Sequence, residues 1–116
     1  MDRPKKTTPK TYQVRISVNA LQNIEEITGY IAFVNQQPLN AIKVGDALFK
    51  TIDRIAFNPL AFRECEELPT KTKMYRRAVC YSWLIIYRIK GPEIVILGII
   101  HSSRKPSKRR SLRRVK

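Results

Sequence analysis

The sequence predicts one α+β domain: an N-terminal strand, a helical hairpin, then a three-stranded antiparallel meander, forming one small sheet with the hairpin on one face. Three observations carry this. Tyr12-Gln13-Val14-Arg15-Ile16-Ser17-Val18 alternates apolar and polar residues at period two, the pattern of a half-buried strand. Residues 20–55 hold two apolar stripes at helical spacing, separated by a short polar turn. Residues 83–100 hold two nearly unbroken apolar runs, the second rich in β-branched residues. Lys90-Gly91-Pro92-Glu93 separates them, where Gly supplies free φ and Pro fixes it. With 116 residues, 43% of them hydrophobic, the chain has the size of a single domain with its own core.

Residues 1–11 contain two prolines and no periodic apolar signal, which predicts a disordered basic arm. The first strand is expected to turn Tyr12, Val14, Ile16 and Val18 inward. Asn19 is the expected N-cap of the first helix, with Gln22 three residues on to return the bond. Ala20, Ile24, Ile27, Ile31 and Val34 form its stripe. Gly29 weakens that helix by roughly 1 kcal/mol relative to Ala and is expected to mark a close packing contact. Asn35-Gln36-Gln37 makes the turn, and Pro38 suits the first position of the second helix. Its face is Ala41, Val44, Leu48, Ile52 and Ile55, and Asn58-Pro59 stops it. So short a connection makes the two helices antiparallel neighbours. Residues 60–73, with Pro69 and the acid cluster Glu64, Glu66 and Glu67, read as a loop with at most one helical turn. Tyr75–Tyr81, Trp83–Ile89 and Ile94–Ile100 follow as the meander, with Trp83–Ile89 as a central strand covered on both faces. The first strand must join this sheet, because alone its backbone groups have no ladder partners.

The net charge of +14 is unevenly placed. Residues 1–11 carry four basic groups against one acid, residues 12–101 eleven against eight, and residues 102–116 eight against none. The division expected is an arm over 1–11, a domain over 12–104 and a basic, disorder-prone tail over 105–116. Such a balance favours a polyanionic partner, either nucleic acid or an acidic protein segment. Cys65 and Cys80 supply neither a disulfide framework nor a metal-ligand spacing, and read as reduced thiols. No apolar run approaches the ~18 residues of a membrane span, and the N-terminus lacks the apolar stretch of a secretory signal. The expectation is a cytoplasmic protein without a metal or organic cofactor, since ligand clusters and glycine-rich loops are absent from the sequence.

Taken in order, several pieces carry a family resemblance: Tyr12–Val18 leading directly into Ala20, Phe57-Asn58-Pro59 closing the second helix, and Tyr75-Arg76. Ile85-Ile86-Tyr87-Arg88-Ile89, and Ile96-Leu97-Gly98-Ile99-Ile100-His101 running to Arg104, complete them. Over residues 12–106 the chain resembles the RelE/ParE superfamily of bacterial type II toxin–antitoxin toxins, the plasmid-stabilisation type. The resemblance implies a toxin subunit that inhibits growth and is neutralised by a cognate antitoxin wrapped around it, whose amphipathic segment is expected to cover the helical hairpin and the sheet rim. RelE-like members cleave mRNA in the ribosome, and ParE-like members inhibit DNA gyrase. A third possibility is a decayed member that only binds its antitoxin or nucleic acid. Fold does not choose among these, so the site must.

Cleavage of RNA by its 2′-hydroxyl needs a base, an acid for the leaving oxygen and cations for the phosphorane. The catalytic candidates are Arg76 and Arg104 as phosphate clamps and His101 as proton carrier. Arg76 lies near the family's basic position after the tyrosine. Leu84 stands where the family's nucleases have an arginine, however, and no tyrosine or second histidine follows His101. That departure leans toward a ParE-like inhibitor acting by binding. Arg77 falls on the opposite strand face from Arg76 and is, with Lys105, Lys108, Arg109, Arg110, Arg113 and Arg114, a candidate for nucleic-acid or target contact. Bland readings stand beside these: strand charges that discourage sheet association for the arginine pair, and a strand-closing hydrogen bond for His101. Tyr75, Tyr81, Trp83 and Tyr87 read as sheet packing before stacking platforms, and Cys80 as a small buried hydrophobe.

Overall fold

The order of elements follows the expectation, with two additions. A computed structural model describes residues 12–65, 68–71, 73–103 and 111–115. β1 (Gln13–Ile16) leads into α1 (Val18–Gly29), a π-helical turn (Tyr30–Val34) and α2 (Pro38–Phe57). A 3-10 turn (Pro59–Ala61) and β2 (Arg63–Glu64) come next, then β3 (Tyr75–Cys80), β4 (Trp83–Lys90) and β5 (Glu93–His101). A second 3-10 turn (Ser111–Arg114) lies in the C-terminal tail. The additions are β2, inside the stretch read as a loop, and that C-terminal turn. The strands form one sheet in the order β1-β5-β4-β3-β2. The meander is antiparallel as expected, but β1 runs parallel to β5, with Val14 opposite Ile94 and Ile16 opposite Ile96. The sheet is therefore mixed. Parallel partners need a long crossover, and the helical hairpin lies within it.

α1 begins at Ser17 and not at Asn19. The Ser17 hydroxyl accepts the Ala20 N–H at 3.0 Å and donates to the Leu97 carbonyl at 3.1 Å. The Asn19 amide also donates to the Leu97 carbonyl, at 2.9 Å, and the Asn23 side-chain oxygen accepts the Ile99 N–H at 2.9 Å. β1 stops pairing at Ile16, so beyond it these three side chains satisfy the open edge of β5. Starting the helix this early carries Val18 out of the strand pattern, and it is 70% exposed instead of inward. The π-turn, closed by Asn35 N–H to the Tyr30 carbonyl at 3.1 Å, widens the last turn of the hairpin's first arm. Ile31 stays buried, but Val34 is rotated out of the stripe and lies exposed. α2 matches its pattern fully: Ala41, Val44, Leu48, Ile52 and Ile55 are all buried. The tight contact between the helices is at Gly45, where a Cβ would meet Thr28 Cγ2 at 3.4 Å; a Cβ at Gly29 would meet nothing within 4 Å.

The sheet has a core on each face. On the hairpin side Leu48, Ile55, Ile85, Tyr87, Ile94 and Ile96 pack together. On the second face Cys65, Leu68, Tyr75, Leu84, Ile86, Val95 and Leu97 do so, joined by Leu112 from the tail. A Cβ at Gly98 would lie 2.8 Å from Leu112 Cδ2, so the missing side chain in mid-strand is the space the tail fills. The end of the tail is thus part of the packed domain and not only a solvated basic run. Both cysteines are free thiols and buried. Among the described residues no helix is long and apolar enough to cross a membrane. The arm over 1–11 and the acids Glu66 and Glu67 lie outside the described residues.

Candidate functional site

Strand alternation sends Arg76 to the hairpin face, opposite Tyr87 on β4. There its guanidinium donates to the carbonyls of Phe62 at 2.7 Å and Leu60 at 3.3 Å. The Tyr87 hydroxyl donates to the Pro59 carbonyl at 2.6 Å, and its ring meets Phe62 edge-on. Together the two side chains fasten the turn after α2 to the sheet. Burial pushes the Tyr87 phenol far above its ordinary pKa, and the Arg76 charge only partly opposes that. A phenol so held stays protonated and keeps its hydrogen bond to the Pro59 carbonyl.

His101 ends β5 on the same face, exposed, opposite Trp83. Its Nδ1 lies 2.8 Å from the Ser103 hydroxyl and 3.2 Å from the Ser103 backbone nitrogen. A backbone N–H only donates, so Nδ1 accepts and the neutral ring carries its proton on Nε2. Trp83 meets the imidazole edge-on at 6.0 Å. His101, Trp83, Ser103, Tyr30, Glu26 and Asn23 rim an open cleft of about 720 Å³ between α1 and the sheet end.

Arg76 and His101 are not brought together. Trp83, opposite His101, and Tyr87, opposite Arg76, are four residues apart on β4, and two strand spacings separate β3 from β5. Their backbones are therefore about 16 Å apart, from a ~3.3 Å rise per residue and ~4.8 Å between strands. The Arg76 guanidinium is moreover engaged with carbonyls on the β2 side. Arg104, Lys105, Lys108, Arg109 and Arg110 lie outside the described residues.

Arg77 points to the second face, directly opposite Arg63 on β2. Arg88, which the sequence reading passed over, lies on that face opposite Tyr75. Arg113 from the tail sits 5.6 Å over the Tyr75 ring, and Arg114 is exposed beside it. Tyr81, expected in the packing, is exposed instead: it occupies the two-residue turn between β3 and β4 at φ 54°, a left-handed backbone usually left to Gly or Asn. No group of three or more His, Cys, Asp or Glu able to hold a metal occurs among the described residues.

The sequence reading places the antitoxin over the hairpin and the sheet rim, but it names none of the apolar residues on the hairpin's outer surface. Phe33 is 82% exposed, and Ile42 and Phe49 are exposed beside it. They line a shallow groove of about 650 Å³ between α1 and α2, floored by Ala32, Ala41 and Gly45. The signal was present as apolar residues off the buried stripe of each helix, since a helix apolar on two faces has two surfaces to cover.

Residues 14–106 match the family model described as the ParE toxin of the type II toxin–antitoxin system parDE. Among solved structures the chain is similar to one titled as the chromosomal ParDE toxin–antitoxin system from P. aeruginosa. The TM-score is 0.62 and the identity 17%, over 79% of this chain and 97% of that one. At that identity the likeness is one of fold. A search of curated proteins gives no match. The family match spans both helices and the meander, and on it the chain belongs to the ParE toxin family of type II toxin–antitoxin systems.

Proposed function

We propose that this chain is a growth-inhibiting toxin subunit that acts by binding a DNA gyrase-type target in the cytoplasm, and that a cognate antitoxin neutralises it. The observation that carries binding over cleavage is the dispersal of the nuclease candidates. Arg76 is engaged with the Leu60 and Phe62 carbonyls, and His101 lies at the far end of the sheet. General acid–base cleavage needs its groups within hydrogen-bond reach of one phosphate. Membership of the ParE family, rather than a RelE-like nuclease site, is what supports a gyrase-type target. The antitoxin reading rests on the hairpin groove: an amphipathic helix needs an apolar trough for its anchors, and Phe33, Ile42 and Phe49 provide one.

The test is induced expression in a bacterial host without antitoxin, with mapping of mRNA 5′ ends within minutes and a supercoiling assay on purified gyrase. Growth arrest with inhibited supercoiling and no new ends is expected. New codon-linked ends would establish ribosome-dependent mRNA cleavage and overturn the reading, and no arrest would indicate a member that has lost its target. Ile42→Asp is expected to abolish rescue by the antitoxin while arrest persists; rescue that survives it would remove the groove from the interface.

A further inference from the structure

Residues 27–42 contain no charged side chain, although 28% of the chain is charged and its net charge is +14. The stretch is the tip of the helical hairpin: the end of α1, the π-helical turn, residues 35–37 and the first turn of α2. Ile31 and Ala41 anchor it to the core, and its other large apolar side chains face outward. Leu39 is 81% exposed, Phe33 is as open, and Tyr30, Val34 and Ile42 are each more than half exposed. The π-turn is what places Val34 there. Ordinary helical winding would return it to the face of Ile31, three residues before, and the wider turn carries it outward instead. These five side chains offer roughly 600 Å² of apolar surface, at the top of what a monomer ordinarily leaves open.

We infer that the hairpin tip, centred on Val34 and Leu39, is where two copies of this chain associate about a two-fold axis. Charge selects the occupant. Copies that each carry +14 repel one another, and the uncharged tip is where they approach at least cost. The charges that bound it in sequence are Glu26 and Lys43, of opposite sign, which a two-fold axis can set against each other across the pair. A polyanion or an acidic segment finds no cation on this surface to hold it. A helix in the groove between α1 and α2 leaves it open too, since neither Val34 nor Leu39 lines that groove. Phe33 and Ile42 do line it, so a helix seated there competes with the pairing. Two tips together bury about 1,200 Å², the lower bound of a stable specific interface, which sets the strength of the pair in the micromolar range. The pairing rests on neither the gyrase nor the antitoxin reading, because its test uses the chain alone.

The experiment is sedimentation velocity of the purified full-length chain from ~2 to ~200 µM, at low and at high sodium chloride. The variants are Leu39→Asp and Val34→Asp, with Val79→Asp on β3 as the control for losing an exposed apolar side chain elsewhere, each checked by thermal melting. Leu39→Asp places an acid in the first turn of α2, where it favours the helix, so that variant is expected to stay folded. Wild type is expected to pass from monomer to dimer with a Kd on the order of 10–100 µM, and more tightly at high salt, where the repulsion is screened. Leu39→Asp and Val34→Asp are each expected to weaken the dimer by at least about tenfold, and Val79→Asp by less than about twofold. A wild-type chain monomeric at ~200 µM in both salts would overturn the inference. So would a dimer that both tip variants leave intact, or an equal loss in the control. A monomeric chain whose growth arrest is lost in folded Leu39→Asp would overturn it in favour of the toxin's target as the occupant. Co-flotation of wild type with neutral phosphatidylcholine vesicles, abolished by Leu39→Asp, would overturn it in favour of a lipid surface.

Discussion

Gly98→Ala is the sharpest test of the packing on the second face. The new Cβ would stand 2.8 Å from Leu112 Cδ2, 2.9 Å from Asn19 Nδ2 and 3.1 Å from Asn23 Oδ1. Ordinary contacts begin near 3.4 Å, so two neighbours must retreat by about half an ångström. Asn19 has little freedom, because its amide is tied to the Leu97 carbonyl at 2.9 Å. Leu112 is the end of a flexible side chain on a short turn, so the tail is what gives way. Overpacking of this kind costs about 2 kcal/mol, which lowers Tm by roughly 6–10 °C in a domain of this size. The assay is thermal unfolding by circular dichroism for wild type, Gly98→Ala, Leu112→Ala and the double variant. With Leu112 shortened, the alanine methyl has room on that side. The Asn19 contact remains, so Gly98→Ala should then cost about 1 kcal/mol, a coupling of about 1 kcal/mol between the two sites. Strict additivity would refute the seating of the tail on Gly98, and a Gly98→Ala variant as stable as wild type would refute the close approach itself.

Other side chains support narrower tests. Asn23→Ala removes the acceptor of the Ile99 N–H and is expected to lower stability by about 1–2 kcal/mol. Asn40→Ala, whose side chain bonds to Gln37 at an exposed site, should change it by less than ~0.5 kcal/mol, and equal effects in the two melts would contradict the edge-capping role. Tyr87 has a raised folded-state pKa, so above pH 10 the unfolded chain releases its phenolic proton first and stability falls as pH rises. That slope, up to ~1.4 kcal/mol per pH unit, is expected to be shallower in Tyr87→Phe. Arg76→Ala leaves the Phe62 and Leu60 carbonyls without their donor and should cost about 1–3 kcal/mol in urea unfolding, with any loss of growth arrest following the loss of folded protein. A fully folded, inactive Arg76→Ala protein would return Arg76 to the active site.

Most of the architecture was legible because it rests on local periodicity. The α2 stripe, the Gly91 turn and the two apolar runs each declare themselves within a few residues. What the sequence hid was settled by distant partners. Ser17 and Asn19 are both good N-caps, and the choice follows from the β5 edge some 80 positions along the chain, which claims the Asn19 amide. Val34 keeps helical spacing on paper and loses it to a π-turn. The pairing of β1 with β5, and with it the mixed sheet, leaves no mark in either strand alone. Arg76 and Arg77 were correctly placed on opposite faces by strand parity. Which face held what depended on their neighbours: carbonyls of the turn after α2 for one, Arg88 and Arg113 for the other. One clue was there to be read. A glycine inside an apolar strand marks a close approach, and Gly98 is where the tail returns.

That return changes how the tail must be interrogated. Residues 102–116 hold eight of the basic groups, so deleting them would ordinarily be read as an electrostatic experiment. Leu112 is only 6% exposed, however, and it roofs a core that includes Leu84, Ile86, Val95 and Leu97. Truncation before Ser111 would therefore uncover apolar surface as well as remove charge. Burying a leucine is worth about 1.5–3 kcal/mol, and the half-buried Val115 adds to it, so the truncated chain should lose about 2–4 kcal/mol of stability. Arg113→Gln/Arg114→Gln keeps Leu112 and forfeits only the stacking on Tyr75, a loss of under ~1 kcal/mol. Equal melting temperatures for these two proteins would refute the structural role of the tail. If they differ as expected, loss of activity on truncation says nothing about charge, and only the paired glutamines report whether the tail's arginines touch a partner.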